Sequence, residues 1–277
     1  MSVGDQPIVG APVRSEAAPF GQAIARRVFT RANGLRLLSL TVVFGAWQLW
    51  GSANEYFASY PTAIVAAASQ NFFPVVLPAF GITLTAMLVG MLIAIPIGMA
   101  IGFAMGRIRL LDVALTPYMY AIYATPRIAL IPILVLWLGI DFNLRITIVA
   151  LGAVFPIIIN TYVGTKDADR ELLDVGRVFM ASSWQALRSI IVPSAAPFVF
   201  AGVRIGVGRA VSGVIVAEMT STLTGVGRTL ISYAKYLQIA ELFVGVMTLG
   251  LFSLLLYAGL ARLQRRMTPW ADAERAR

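Results

Sequence analysis

Long apolar runs decide which solvent this chain is built for. Residues 84–105 and 243–260 each approach the ~18–20 apolar residues with which a helix crosses a hydrocarbon core, and a soluble core seldom needs several such runs. Charged residues make up 13% of the chain, against about 25% in an average soluble domain. The expected fold class is therefore all-α, a polytopic membrane protein.

Six spans fit the pattern, over residues 35–52, 78–105, 111–138, 145–165, 198–217 and 241–263. The third contains Pro117, Pro126 and Pro132, so two short crossings are an alternative. Charge decides between them. With six spans and both termini inside, sixteen of the 22 Lys and Arg fall on the inner side. Splitting the third span moves Lys166, Arg170, Arg177 and Arg188 outside, against the tendency of basic loops to stay cytoplasmic. The net charge of +9 thus reflects orientation rather than nucleic-acid binding. Residues 1–33 mix Pro, Gly, Ala and Arg without helical periodicity and read as a flexible cytoplasmic tail that is not a cleavable signal. The membrane domain is expected over 34–265, with a cytoplasmic loop at 166–193, and a short inner tail over 266–277.

The chain has no cysteine and no histidine, which removes disulfides, thiol nucleophiles, Cys/His metal sites and His-based acid–base catalysis. No Ser/Lys or paired-Asp arrangement falls inside the apolar runs, so no catalytic residue and no metal site is expected. A G-x-x-x-x-G-K-[ST] phosphate loop is also missing from the sequence.

In the second span Gly98, Gly102 and Gly106, with Ala94 before them, recur every four residues and place small side chains on one helix face. Such a ridge serves either packing within the chain or a dimer contact. Pro96 adds an expected kink.

The loop 166–193 is patterned. Leu172, Leu173, Val175, Val178, Phe179, Leu187, Ile190 and Ile191 alternate with polar residues as in short amphipathic helices. Asp169 is placed to cap the first. Ser182 with Gln185 forms a capping box for the second, and Pro193 is expected to stop it. Two short helices at the inner face would give either a knob for a soluble partner or an interfacial helix on lipid headgroups.

Here the sequence resembles a known family. Asp174-Val175-Gly176, then Met180, then Ile190 and Val192-Pro193 keep the spacing of the Glu-Ala-Ala…Gly…Ile-x-Leu-Pro loop of ATP-binding-cassette importer permeases. Met180 stands where that family usually has Gly. The flanks Glu171-Leu172-Leu173, Ala181-Ser182-Ser183-Trp184, Pro193-Ser194-Ala195-Ala196-Pro197, Ala201-Gly202-Val203-Arg204 and Val216-Ala217-Glu218-Met219 are similar to the nitrate, sulfonate and taurine permease group, as is the stretch from Pro126 to Pro132. The resemblance implies a type I importer permease in the inner membrane, a homodimer working with two copies of a cytoplasmic ATPase and an extracytoplasmic solute-binding protein. It implies that ATP and Mg are bound by the ATPase, with no cofactor held by this chain. By the same resemblance Asp174, Gly176, Met180, Ser182 and Pro193 occupy the positions that couple to the ATPase.

Arg204, Arg209 and Glu218 lie in or near the fifth span, where an unpaired charge costs at least ~2.5 kcal/mol at mid-bilayer. Arg204 is near enough to the inner surface to snorkel, and Arg209 falls near the middle. Arg209 and Arg127 either line the path of an anionic solute, with Glu218 near the outer gate, or serve internal pairing and backbone carbonyls freed by Pro126. The polar stretch 219–236 suits an outer loop or a short re-entrant helix. A self-sufficient secondary transporter or channel is the alternative function, and it would require buried carboxylates, of which Glu218 is the strongest.

Overall fold

The computed structural model describes residues 31–54, 57–168, 170–221 and 224–270. Asp169 and most of the two tails lie outside that set, as do the expectations placed on them. Helix α1 (Arg31–Ala53) starts three residues before the end of the expected tail. Then follow α2 (Pro61–Asn71), α3 (Leu77–Arg107), α4 (Arg109–Ala124), α5 (Ile131–Leu138), α6 (Phe142–Lys166), α7 (Arg170–Val178), α8 (Ser183–Ala186), α9 (Val192–Ser221), α10 (Val226–Lys235) and α11 (Ile239–Met267). All described elements are helical.

Four helical stretches are long and apolar enough to cross a membrane: Pro61–Arg107, Phe142–Lys166, Ser183–Thr220 and Ile239–Met267. The expected third span is α4 and α5 joined at an 87° bend, which makes five if the pair counts as one crossing. Its break has a local cause. Proline disfavours the helical conformation of the residue before it, and Thr125, preceding Pro126, is extended at ψ 133°. The first expected span, α1, has the length but is diluted by Arg36 and Gln48 and does not reach the apolarity of the others. It meets α2 and the turn before it, with Trp47 Nε1 donating to Ser59 O at 2.8 Å and Gln48 Nε2 donating to Thr62 Oγ1 at 3.0 Å, and the Trp47 ring lies 5.8 Å from that of Phe243 in α11.

The core is a three-helix stack of α3, α6 and α9. Met87, Met91 and Ala94 pack against Val149, Ala153 and Ile157, with Val199, Val203, Val207, Ala210 and Val214 closing the cluster. The small-residue ridge makes this approach possible, and it serves packing within the chain. A Cβ at Gly98 would lie 2.7 Å from Ile157 Cγ2, at Gly102 2.6 Å from Thr161 Cβ, and at Gly106 2.5 Å from Thr165 Cβ.

Proline shapes two junctions in the same way. The π-helical turns Phe72–Val76 and Leu187–Ile191 each immediately precede an Xaa-Pro pair, Leu77-Pro78 and Val192-Pro193. Leu77 N donates to Phe72 O and Val192 N to Leu187 O, so a wider turn accommodates the ring and the missing donor. Pro193 therefore does not stop a helix, contrary to expectation. The chain stays helical from Ser183 to Thr220.

Gly102→Leu is expected to separate α3 from α6. Overpacking of this kind costs about 1–3 kcal/mol, and a loss of the monodisperse peak or a large fall in melting temperature in detergent would show it. Gly81→Ala is the control, since a Cβ there meets nothing within 4 Å, and it should leave the melting temperature unchanged or raised.

Candidate functional site

Two arginines meet at the break between α4 and α5. A cavity of about 420 Å3 lies there, lined by Tyr123, Thr125, Pro126 and Arg127 from the break, Ile131 from α5, Ile148 and Gly152 from α6, and Arg209, Ser212 and Gly213 from α9. The guanidinium of Arg209 sits 4.9 Å from the Tyr123 ring centre and that of Arg127 5.7 Å, both within cation–π range. Arg209 Nη2 also donates to the Tyr123 hydroxyl at 3.1 Å. No carboxylate is among the residues that line the cavity.

Arg127 is held by a peptide carbonyl. Its Nη1 donates to Gly152 O at 2.7 Å and reaches Leu151 O at 3.3 Å. Pro156, four residues beyond Gly152 in α6, has no N–H to offer that carbonyl. The arginine thus satisfies a group orphaned by a proline in a neighbouring helix, whereas Pro126 beside it was the expected source. Gly152 also brings α9 close, since a Cβ there would lie 3.4 Å from Arg209 O. One arginine is fixed on α6, the other projects from α9, and Tyr123 stands between them.

Glu218 is elsewhere. It is fully buried and absent from the cavity lining. Its carboxylate accepts from Thr83 Oγ1 at 2.9 Å and from Gly227 N at 3.0 Å, and Arg145 Nε lies 3.8 Å from Oε1. Thr83 Oγ1 in turn accepts from Val226 N at 3.0 Å. Val226 and Gly227 open α10, so two of the N–H groups that its own turns leave unpaired are satisfied from α3 and α9. A carboxylate at a helix N-terminus also complements the helix dipole. Gly225 and Gly227 permit the approach: a Cβ at Gly227 would lie 2.7 Å from Glu218 Cβ, and Gly225 holds φ +105°. Arg145, 6% exposed, donates through Nη2 to Thr224 Oγ1 at 2.6 Å and pins the loop before α10. Arg204 donates to Gln264 Oε1 of α11 at 2.7 Å.

The loop 166–193 projects its apolar side chains. Val178 and Phe179 are each 80% exposed and Met180 91%. Met180 takes φ +53° between α7 and α8, the left-handed conformation glycine adopts most easily. Ala181 N donates to Gly176 O and Met180 N to Arg177 O, the paired bonds of a Schellman helix end. The capping box closes the other side, with Gln185 N donating to Ser182 Oγ and Ser182 N to Gln185 Oε1. Asp174 is exposed and paired with Arg177 at 2.7 Å, and Gly176 lies against Ile190. Pro193 is in the first turn of α9.

Sequence reasoning missed Tyr123, Thr83 and Arg145. Thr83 and Arg145 had a readable signal, as a lone polar residue just before an apolar run and a charge at the edge of an expected span. Glu218→Ala should strip α10 of its buried anchor and leave Arg145 without its counter-charge. Removing one member of a buried pair costs about 3–5 kcal/mol, read as a large fall in melting temperature, with Glu218→Gln intermediate because it keeps an acceptor for Gly227 N.

With this geometry in view, the likenesses to known proteins fall into place. Residues 94–272 match the family described as binding-protein-dependent transport system inner membrane component. The riboflavin transport system permease protein RibX of Chloroflexus aurantiacus is 41% identical over 189 residues, covering 68% of this chain and 70% of the relative. The putative aliphatic sulfonates transport permease protein SsuC of Bacillus subtilis is 27% identical over 241 residues, covering 86% and 87%. A crystal structure of an amino acid ABC transporter with histidines shares the fold at TM-score 0.54 and 14% identity, covering 72% of this chain and 94% of that one. The chain belongs to the binding-protein-dependent transport system inner membrane components and is an ABC transporter permease subunit.

Proposed function

We propose that the chain, as a homodimer, forms the path of an importer for a small anionic solute, fed by an extracytoplasmic binding protein and driven by a cytoplasmic ATPase dimer. The observation that carries the solute class is the pair Arg127 and Arg209 on either side of Tyr123, in a cavity with no carboxylate in its lining. Two guanidinium groups facing one cavity favour an anion that accepts hydrogen bonds from both. Ile131, Ile148 and the Tyr123 ring give the apolar body of such a solute a surface to lie on. Sulfonates, named for one relative, combine an anionic head with an aliphatic body. Riboflavin, named for another, lies outside the solutes expected from sequence.

Coupling to the ATPase is assigned to the loop between α6 and α9. Its exposed Val178, Phe179 and Met180 offer an apolar surface to a soluble partner, and Asp174, Gly176, Met180, Ser182 and Pro193 shape or flank it. The basic residues around this loop favour its placement on the cytoplasmic side, and with α1 as a sixth crossing both termini share that side. Commitment of the Glu218 carboxylate to α10 weighs against a gradient-driven transporter, which needs a carboxylate free to bind and release its ion.

Uptake by proteoliposomes containing the permease, its ATPase and its binding protein tests both assignments. Arg209→Ala should lower uptake about tenfold or more, the loss of one charge-assisted contact, with Arg209→Lys partly active. Uptake equal to wild type in Arg209→Ala would remove the anion path. Asp174→Lys should insert and purify normally yet lose ATP-driven uptake, and normal uptake by it would overturn the coupling assignment.

A further inference from the structure

We propose that α10 and the tip that follows it are the platform on which an acidic face of the solute-binding protein docks. This rests on the importer reading above and names the surface its partner uses. Position comes first. Helix α9 has 30 residues, about 45 Å at 1.5 Å per residue, more than the ~30 Å hydrocarbon core. A chain that leaves the ATPase-side loop along α9 therefore begins α10 on the opposite side of the membrane.

The platform is rigid at both ends. Its N-terminus is anchored by Glu218 and Thr83, and Val226, Gly227, Leu230 and Tyr233 form its buried face. Its C-terminus closes with Gln238 N donating to Tyr233 O at 2.9 Å and Leu237 N to Ala234 O at 3.3 Å. Leu237 holds φ +55° there, a conformation that side chains other than glycine adopt reluctantly. The result presents Tyr236, 75% exposed, and Leu237, 61% exposed, at the tip.

Charge supplies the chemistry. Arg228 and Lys235 are seven residues apart, hence on one face of α10, and both are exposed. Neither makes a hydrogen bond or ion pair among the described residues. Basic residues are depleted on the outer side of membrane proteins, so two free cations there call for a partner. Among the described residues the acidic groups at the helix ends on this side are committed or recessed: Asp141 accepts from Phe142 N as the cap of α6, and Glu241 is half-buried in the first turn of α11. Two cations beside an exposed tyrosine and leucine fit an acidic protein surface with an apolar spot. A membrane headgroup layer is the competing occupant.

The test is ATPase stimulation of the permease–ATPase complex in nanodiscs, titrated with the binding protein that supports uptake in proteoliposomes. Arg228→Glu together with Lys235→Glu should raise the half-stimulating concentration about tenfold or more, with the rate in the absence of binding protein as internal reference. A second measurement needs no variant: for wild type, added salt should raise that concentration. A titration of the double variant that superimposes on wild type, or a wild-type curve indifferent to salt, overturns the platform while the importer stands. An effect that appears without binding protein and follows the anionic lipid content assigns the cations to headgroups and also overturns it. Wild type that no binding protein stimulates would instead sink the importer reading.

Discussion

A peptide group in hydrocarbon that loses its helical partner has no water to turn to, and an unpaired one costs several kcal/mol. The chain meets this constraint at several places where proline or a helix end breaks the pattern. Gly152 O, orphaned by Pro156, takes Arg127. The first N–H groups of α10 take Glu218 and Thr83. Pro78 and Pro193 are preceded by π turns that absorb the ring within a continuous helix. Arg127 and Glu218 are thus explained first by the backbone groups they satisfy.

That order of explanation matters for the cavity. A guanidinium has five donors, and Arg127 uses one nitrogen on α6 carbonyls. Holding a carbonyl and lining a solute path are therefore compatible roles for Arg127, and the first makes the second more exact because the group is oriented before any solute arrives. Arg209 has no such tether to backbone and leans on the Tyr123 hydroxyl. A cation tied to backbone thus faces, across an aromatic ring, one held only by that ring and its hydroxyl.

Local features were legible in the sequence because their partners are local. The Ser182–Gln185 capping box joins neighbouring residues, and the spacing that puts Gly98, Gly102 and Gly106 on one face lies within a single helix, although what that face packs against does not. Features set by distant partners were not. For Glu218 the gate and internal-pairing readings both stayed open, because Thr83, 135 positions away, cannot be paired with it by inspection. Pro193 read as a stop because proline ends most helices, and spacing does not announce a π turn. Tyr123 was hidden inside an apolar stretch, where an aromatic ring ordinarily means core or lipid contact.

The continuity through Pro193 changes how the two faces of the protein are related. One helical stretch runs from Ser183 to Thr220, beginning at the capping box beside Met180 and ending just past Glu218. Along it lie Arg204, bonded to α11, and Arg209 at the cavity. Gly164, Gly202 and Gly206 bring this helix and α6 so close that added side chains would clash with the neighbour. Beyond the π turn this packing disfavours flexing, so a displacement passed on to that part of the helix would move the cavity wall and the α10 anchor together. The π turn at Leu187–Ile191, near the loop end and outside the glycine-lined contact, is then where bending is least costly.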